Sequence, residues 1–264
     1  MTKTCNPQLR VLIAEDNPVS QMFALRLIEK QGHIAHVVAN GQLAVDAMLN
    51  EDFDVVLMDI NMPIKNGLEA VQQLREWEQV LGTHVPVIAA TANASAPDRE
   101  KCLAAGMDDF VSKPFKAEEL AAAFDRVLQG STIEFPVFPA SDQSELSLLP
   151  RSACDIPAAR KRLNGDDGFL KQLAQLFLET VPEQMKSLNT AVQNGNGPLT
   201  VDLAHSIKGS VKYFFSASAY DAAQRLEFVG TAGNRAIMEQ TYEELVIEIG
   251  NLRKDLLNGF PSLH

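Results

Sequence analysis

Between residues 9 and 128 short apolar runs alternate with amphipathic stretches, and this alternation limits the fold more than anything else in the 264-residue chain. The runs occupy residues 9–14, 34–38, 55–58, 85–90 and 109–112. Most are continuously apolar, the pattern of strands covered on both faces. Between them lie helical patterns at residues 18–31, from Asn40 onward, and at 68–80, 95–105 and 116–128. Asn17 is placed to cap the first of these, with Pro18 at its first helical position, and Gly106 closes the fourth. Five strand–helix units in succession predict a doubly wound parallel sheet with helices on both faces. In such sheets functional groups gather at the carboxyl ends of the strands.

The pattern then stops. Residues 129–150, QGSTIEFPVFPASDQSELSLLP, are rich in Ser, Pro, Glu and Gln and read as a linker. A flexible stretch of about 20 residues has an r.m.s. span of about 25 Å, enough for two small domains to touch. Ile133, Phe135, Val137 and Phe138 suggest that part of it packs on a domain. Beyond Pro150 only helical patterns remain, at residues 158–163, 169–192, 198–215, 219–231 and 236–257, broken at Gly165, at NGNG (194–197) and at TAGN (231–234). Long helices joined by short turns predict a four-helix bundle behind a short leading helix. The expected division is an α/β domain at 1–130, a linker at 131–150 and an all-α domain at 151–264.

Composition narrows the partners. A formal net charge of −11 with no block of Lys or Arg disfavours nucleic acid and anionic membrane, leaving proteins as the expected partners. Cys5, Cys102 and Cys154 are odd in number and widely spaced, which suits a reducing cytoplasm and gives no zinc pattern. No apolar run approaches the roughly 18 residues of a membrane span.

Three carboxylates fall at expected strand ends: Glu15 and Asp16 after the first strand and Asp59 after the third. Carboxylates held together repel unless a cation joins them. Magnesium favours oxygen ligands and pairs with phosphate oxygens, and a carboxylate beside it can attack a phosphoryl group. Thr91 at the end of the fourth strand offers a hydroxyl, and Lys113 after the fifth offers a point charge to phosphate. Pro114 biases Lys113 toward an extended backbone.

The stretches VLIAEDNPVSQ, VVLMDINMP, VIAATANA and DREKCLAAGMDDFVSKPF resemble response-regulator receiver domains, closest to those of hybrid sensor kinases, over essentially all of residues 9–128. The resemblance implies a flavodoxin-like fold and phosphorylation of Asp59. It also implies magnesium held by Glu15, Asp16, Asp59 and the backbone carbonyl of Asn61, with phosphate contacts from Thr91 and Lys113. Phe110 matches an aromatic that moves inward when Thr91 engages the phosphoryl group. A phosphatase of the haloacid dehalogenase type also uses an aspartate nucleophile, but it needs a second Asp two residues on, where this chain has Asn61.

In the helical half, LAHSIKGSVKYFF carries His205. At about 100° per residue, Leu203, Ile207, Ser210, Val211 and Phe214 share one side. His205 points away from them, with Lys208, Gly209 and Lys212 on its exposed face. An imidazole is largely uncharged in neutral water and can act as a nucleophile, and the two lysines could neutralise an incoming phosphoryl group. A glycine inside a helix makes sense where something bulky approaches. The His-x-x-Lys-Gly pattern, with YDAAQRLE after it, resembles histidine-phosphotransfer (HPt) domains over about residues 155–258. Phe215 departs from that family, which usually has Gly there.

Two readings follow. In one the chain is a phosphorelay intermediate, a phosphotransfer protein rather than a turnover enzyme: Asp59 takes a phosphoryl group from a kinase phosphohistidine and His205 exchanges it with another receiver. The first receiver helix, near Val19, Met22 and Phe23, would dock on the His205 face. In the other, Asp59 phosphorylation switches an interaction module whose helical domain carries no phosphate. There is no kinase-type glycine-rich ATP site and no helix-turn-helix pattern. Met1 just before the first strand favours a stand-alone protein, although the tail of a hybrid kinase would read the same way.

Overall fold

The computed structural model describes residues 8–91, 96–129 and 154–263. The chain divides into two compact units, Met1–Pro136 and Val137–His264. The expected linker, with Ile133, Phe135, Val137 and Phe138, lies outside the described residues.

In the first unit the order is β1 (Arg10–Ala14), α1 (Pro18–Lys30), β2 (Ile34–Val38), α2 (Gly41–Asn50), β3 (Val55–Asp59), α3 (Gly67–Leu81), β4 (Val87–Thr91), α4 (Ala96–Ala104), β5 (Asp109–Ser112) and α5 (Ala117–Leu128). The strands form one parallel sheet, as the alternation predicted, and their order is β2-β1-β3-β4-β5. The chain steps from β1 outward to β2, then back past β1 to β3. The reversal therefore falls between β1 and β3, where ligand crevices form in sheets of this kind. β3 and β4 are buried throughout, whereas β2 is an edge strand with half-covered side chains.

Local chemistry sets the boundaries. The Asn17 side chain accepts the N–H groups of Val19 and Ser20 and starts α1 as expected. β4 begins two residues later than the apolar run, because the Val85 N–H donates to Glu78 Oε1 at 2.6 Å and its carbonyl accepts from Arg75. α3 starts on Gly67, where a Cβ would lie 2.0 Å from the Asp59 carbonyl oxygen. Only glycine allows α3 to start so close to that strand end.

The second unit contains α6 (Ile156–Arg162), α7 (Asp167–Gln193), α8 (Gly197–Val211), a 3₁₀ turn (Lys212–Phe214), α9 (Ala217–Ala232), α10 (Arg235–Gly259) and a closing 3₁₀ turn (Pro261–Leu263). α8 packs on α7 and α9, and α10 on α7 and α9, giving the expected four-helix bundle with α6 ahead of it. Its core includes Phe177 and Phe214, with ring centroids 5.2 Å apart, and Leu170, Leu226 and Leu252. α8 and α9 come close because both sides of the crossing are glycine: a Cβ on Gly197 would sit 2.4 Å from the Gly230 carbonyl oxygen. The histidine-bearing helix is shorter than its periodicity suggests. It tightens to 3₁₀ after Val211 and ends at Phe215, whose φ of 51° is left-handed. Among the described residues no helix is long and apolar enough to cross a membrane.

Candidate functional site

Parallel pairing brings the ends of β1 and β3 side by side, with Ala14 in register with Met58. Glu15 and Asp16 follow one strand and Asp59 ends the other. Carboxylate oxygens of the three lie within 4.8 Å of one another. Such a set of hard oxygen donors fits a small divalent cation. The loop is held in place locally: the Asn17 N–H donates to Glu15 Oε1 at 3.2 Å, and Gln21 Nε2 donates to the Glu15 carbonyl at 2.6 Å.

Lys113 enters from β5. Its N–H donates to the Thr91 carbonyl at 2.7 Å, tying the last residue of β4 to the lysine. Its ammonium lies 2.5 Å from Asp59 Oδ2 and also contacts Glu15. Glu15 and Asp59 are buried, as is the Thr91 side chain, while Asn61 is exposed and donates its N–H to Asp59 Oδ1 at 3.3 Å. Burial pushes the Glu15 carboxyl up to about 8. Lys113 opposes this, while the like charges of Asp59 and Asp16 add to it. Burial alone would lower the Lys113 ammonium, but Asp59 and then Glu15 hold it well above its ordinary value. The pocket therefore has more negative charge than its one lysine offsets. Phe110 is buried in the core cluster, with the Arg99 guanidinium 4.1 Å from its ring centroid.

In the bundle, His205 is not the solvent-facing imidazole that the helical wheel predicted. Its side chain is only 20% exposed, and Nδ1 lies 2.7 Å from Oε1 of Glu227 on α9. The other Glu227 oxygen pairs with the Lys208 ammonium. His205 and then Lys208 hold the Glu227 carboxyl below its ordinary value although burial pulls the other way. A carboxylate accepts and does not donate, so Nδ1 is the nitrogen that carries a proton, and in the neutral imidazole Nε2 holds the lone pair.

The two lysines expected on an exposed face are both buried. Lys208 lays its stem between α8 and α9 to reach Glu227, as long cationic side chains often do. Lys212 falls in the 3₁₀ turn, where the advance per residue is larger than in an α-helix. It turns onto Tyr220, with the ammonium 5.6 Å from the ring centroid. Gly209 is partly exposed. Glu227 was missed in the sequence. It ends the YDAAQRLE stretch, and only the α8–α9 contact reveals its partner. The expected docking residues Val19 and Phe23 are also corrected: both face the core of the first unit, Phe23 edge-on to Phe115, and only Met22 of the three is partly exposed.

The sequence family described as the response regulator receiver domain matches residues 11–125, and the one described as the Hpt domain matches residues 172–255. The signal transduction histidine-protein kinase BarA of Escherichia coli K12 is 28% identical over 248 residues, covering 94% of this chain and 27% of BarA. The sensor histidine kinase GacS of Pseudomonas protegens is 27% identical over 219 residues, covering 83% of this chain and 24% of GacS. The solved receiver domain of sensor histidine kinase PA1611 from Pseudomonas aeruginosa, which has a magnesium ion coordinated in its active-site cleft, is 38% identical. The match covers 46% of this chain and 98% of that one, with a TM-score of 0.43. The chain spans about a quarter of the length of the curated relatives it matches. Residues 11–125 belong to the response regulator receiver family and residues 172–255 to the Hpt family.

Proposed function

We propose that the chain is a phosphorelay intermediate, with a receiver at residues 1–130 and a phosphotransfer bundle at 151–264 joined by a linker at 131–150. The observation that carries this reading is the coexistence of two acceptors: an aspartate in an acid-rich strand-end pocket, and an imidazole whose tautomer is fixed by a carboxylate. An Asp59 oxygen attacks the phosphorus of a donor phosphohistidine, and the P–N bond breaks as the donor imidazole regains a proton. Lys113 lies close enough to Asp59 to hold negative charge on the transferred group, and the Thr91 hydroxyl donates to one of its oxygens. Glu15, Asp16 and Asp59, with the Asn61 carbonyl, would hold magnesium, which when bound offsets charge on the phosphoryl oxygens. His205 Nε2, of this or another copy of the chain, then attacks the phosphorus. The acyl P–O bond breaks and Asp59 returns to a carboxylate.

The expected partners are a sensor histidine kinase and other receiver or HPt proteins, not nucleic acid. The dispersed cysteines support a cytoplasmic location. One observation favours the switched interaction module instead: with Lys208 and Lys212 buried, fewer cations stand ready for an incoming phosphoryl group.

Labelled phosphoryl transfer to the full chain from a phosphorylated donor, with magnesium present, tests the proposal. Asp59→Asn should abolish uptake. His205→Gln should keep the Asp59 label but fail to pass it to a second receiver. An Asp59→Asn variant that accepts as well as wild type would end the relay reading, and a His205→Gln variant that still delivers would favour the interaction module.

A further inference from the structure

The acid turn after β1 is held on both sides of one residue. The Glu15 N–H donates to the carbonyl of Val38, the last residue of β2, at 3.0 Å, and the Glu15 carbonyl accepts from Gln21 Nε2 at 2.6 Å. A carbonyl only accepts, so it is the amide nitrogen of Gln21 that faces this bond. Gln21 is the fourth residue of α1, and its own N–H donates to the Asn17 carbonyl at 2.9 Å. Its side chain therefore starts from a fixed turn of helix and reaches back past the Asn17 cap. The Glu15 carboxylate is held separately, by the Asn17 N–H at 3.2 Å and by Lys113.

The Gln21 bond fixes the peptide plane between residues 15 and 16. That plane is rigid, so orienting its carbonyl also orients the Asp16 N–H and the backbone from which the Asp16 side chain departs. Asp16 is one of the three carboxylates whose oxygens lie within 4.8 Å of one another, and it is less buried than Glu15 and Asp59. Like charges push such groups apart until a cation joins them, and the least covered of the three has the most room to swing away. We propose that Gln21 is a positioning residue for the cation pocket: its amide locks the Glu15–Asp16 peptide, so that Asp16 stays gathered with Asp59 against their repulsion. This deepens the relay reading and rests on it for the role of the pocket. Hydrogen-bond partners behind metal-binding carboxylates are worth about tenfold or more in metal affinity. Gln21 is itself partly exposed, so water can replace the lost donor and the fold loses little.

The test is calorimetry of the full chain with magnesium chloride. Gln21→Met keeps the length of the side chain and removes the donor. Gln31→Met is the control: Gln31 Nε2 donates to the Ala117 carbonyl at 3.0 Å, so the same kind of bond is lost from the other end of the same helix. Gln21→Met should weaken magnesium binding about tenfold, and Gln31→Met should leave it unchanged. Uptake of labelled phosphoryl on Asp59 in Gln21→Met should slow at limiting magnesium and recover at saturating magnesium. Wild-type affinity in Gln21→Met would overturn the positioning role. So would equal losses in the two variants, or a slow uptake that saturating magnesium does not repair. These three results leave the relay reading standing, whereas a wild-type chain that binds no magnesium would overturn both.

Discussion

Asp59 is one of three clustered carboxylates beside the Lys113 ammonium, whereas His205 shares the Glu227 carboxylate with the Lys208 ammonium. The first site has surplus negative charge in a buried place and is set up to gain from an incoming cation. The second is nearly balanced, and its carboxylate does a different job: it fixes which imidazole nitrogen holds the proton. The same contrast extends beyond the acceptors. In the α/β unit Arg75 links Glu78 at 2.5 Å and Asp108 at 2.7 Å beneath the surface. In the helical unit Arg225–Glu244 and Arg235–Glu239 lie on exposed faces. The Arg75 network is largely covered, whereas these two arginine pairs of the bundle are solvated.

The largest stability difference should follow that line. Arg75→Ala leaves Glu78 and Asp108 without their covered cation and strips a donor from the Val85 and Gly106 carbonyls. It should cost on the order of 3 kcal/mol in chemical denaturation of the α/β unit. Arg225→Ala, which breaks a solvated pair, should cost no more than about 0.5 kcal/mol. Similar shifts for the two variants would dissolve the contrast.

The next effect is kinetic. Glu227→Ala should slow phosphoryl transfer to His205 on the order of tenfold, because the imidazole loses the acceptor that fixes its tautomer. Glu227→Gln should lose less, since the amide oxygen can still accept from Nδ1. Uptake on Asp59 should not change. If the Ala variant transfers at the wild-type rate, Glu227 does not orient the imidazole. Acid unfolding gives a second check. The Glu227 carboxyl lies below its ordinary value in the folded chain, so its stabilisation is fully present above the unfolded carboxylate range and fades as pH falls through the folded value. Glu227→Gln should flatten that acidic limb of the stability curve.

The difference between the two sites also decides how much of each was legible in the sequence. Glu15, Asp16 and Asp59 could be brought together from the sequence because strand ends are neighbours in any parallel sheet of this order. The bounds of β2 and β5 and the Asn17 cap were readable for a similar reason, since they depend on residues next to them in the chain. The start of β4 was not, because Val85 hydrogen-bonds a side chain twisting back from α3 instead of a strand. The histidine site failed on the same principle. A helical wheel says which residues share a face, but not which helix covers that face. Lys208 was placed in water because α9 was not in view, and Lys212 because the wheel ran on past the point where the helix tightens. Val19 and Phe23 were offered as docking residues although they are buried.

The smallest expected effect lies at the end of that histidine helix. Phe215 sits at a φ of 51°, where a β-carbon is crowded and glycine is at ease. Its ring is covered by the Arg162 guanidinium from α6, 4.8 Å from the centroid. The chain thus holds a strained backbone in place by packing on the ring. Phe215→Ala removes the ring and keeps the strain, while Phe215→Gly removes both. The glycine variant should therefore be the more stable of the two by about 1 kcal/mol, although both fall below wild type. In a helix interior the order would be reversed, with alanine favoured over glycine by a similar amount. Denaturant midpoints of the two variants thus read the backbone state directly: alanine above glycine would mean that residue 215 continues the helix, and the site would lose the boundary that turns Lys212 away from His205.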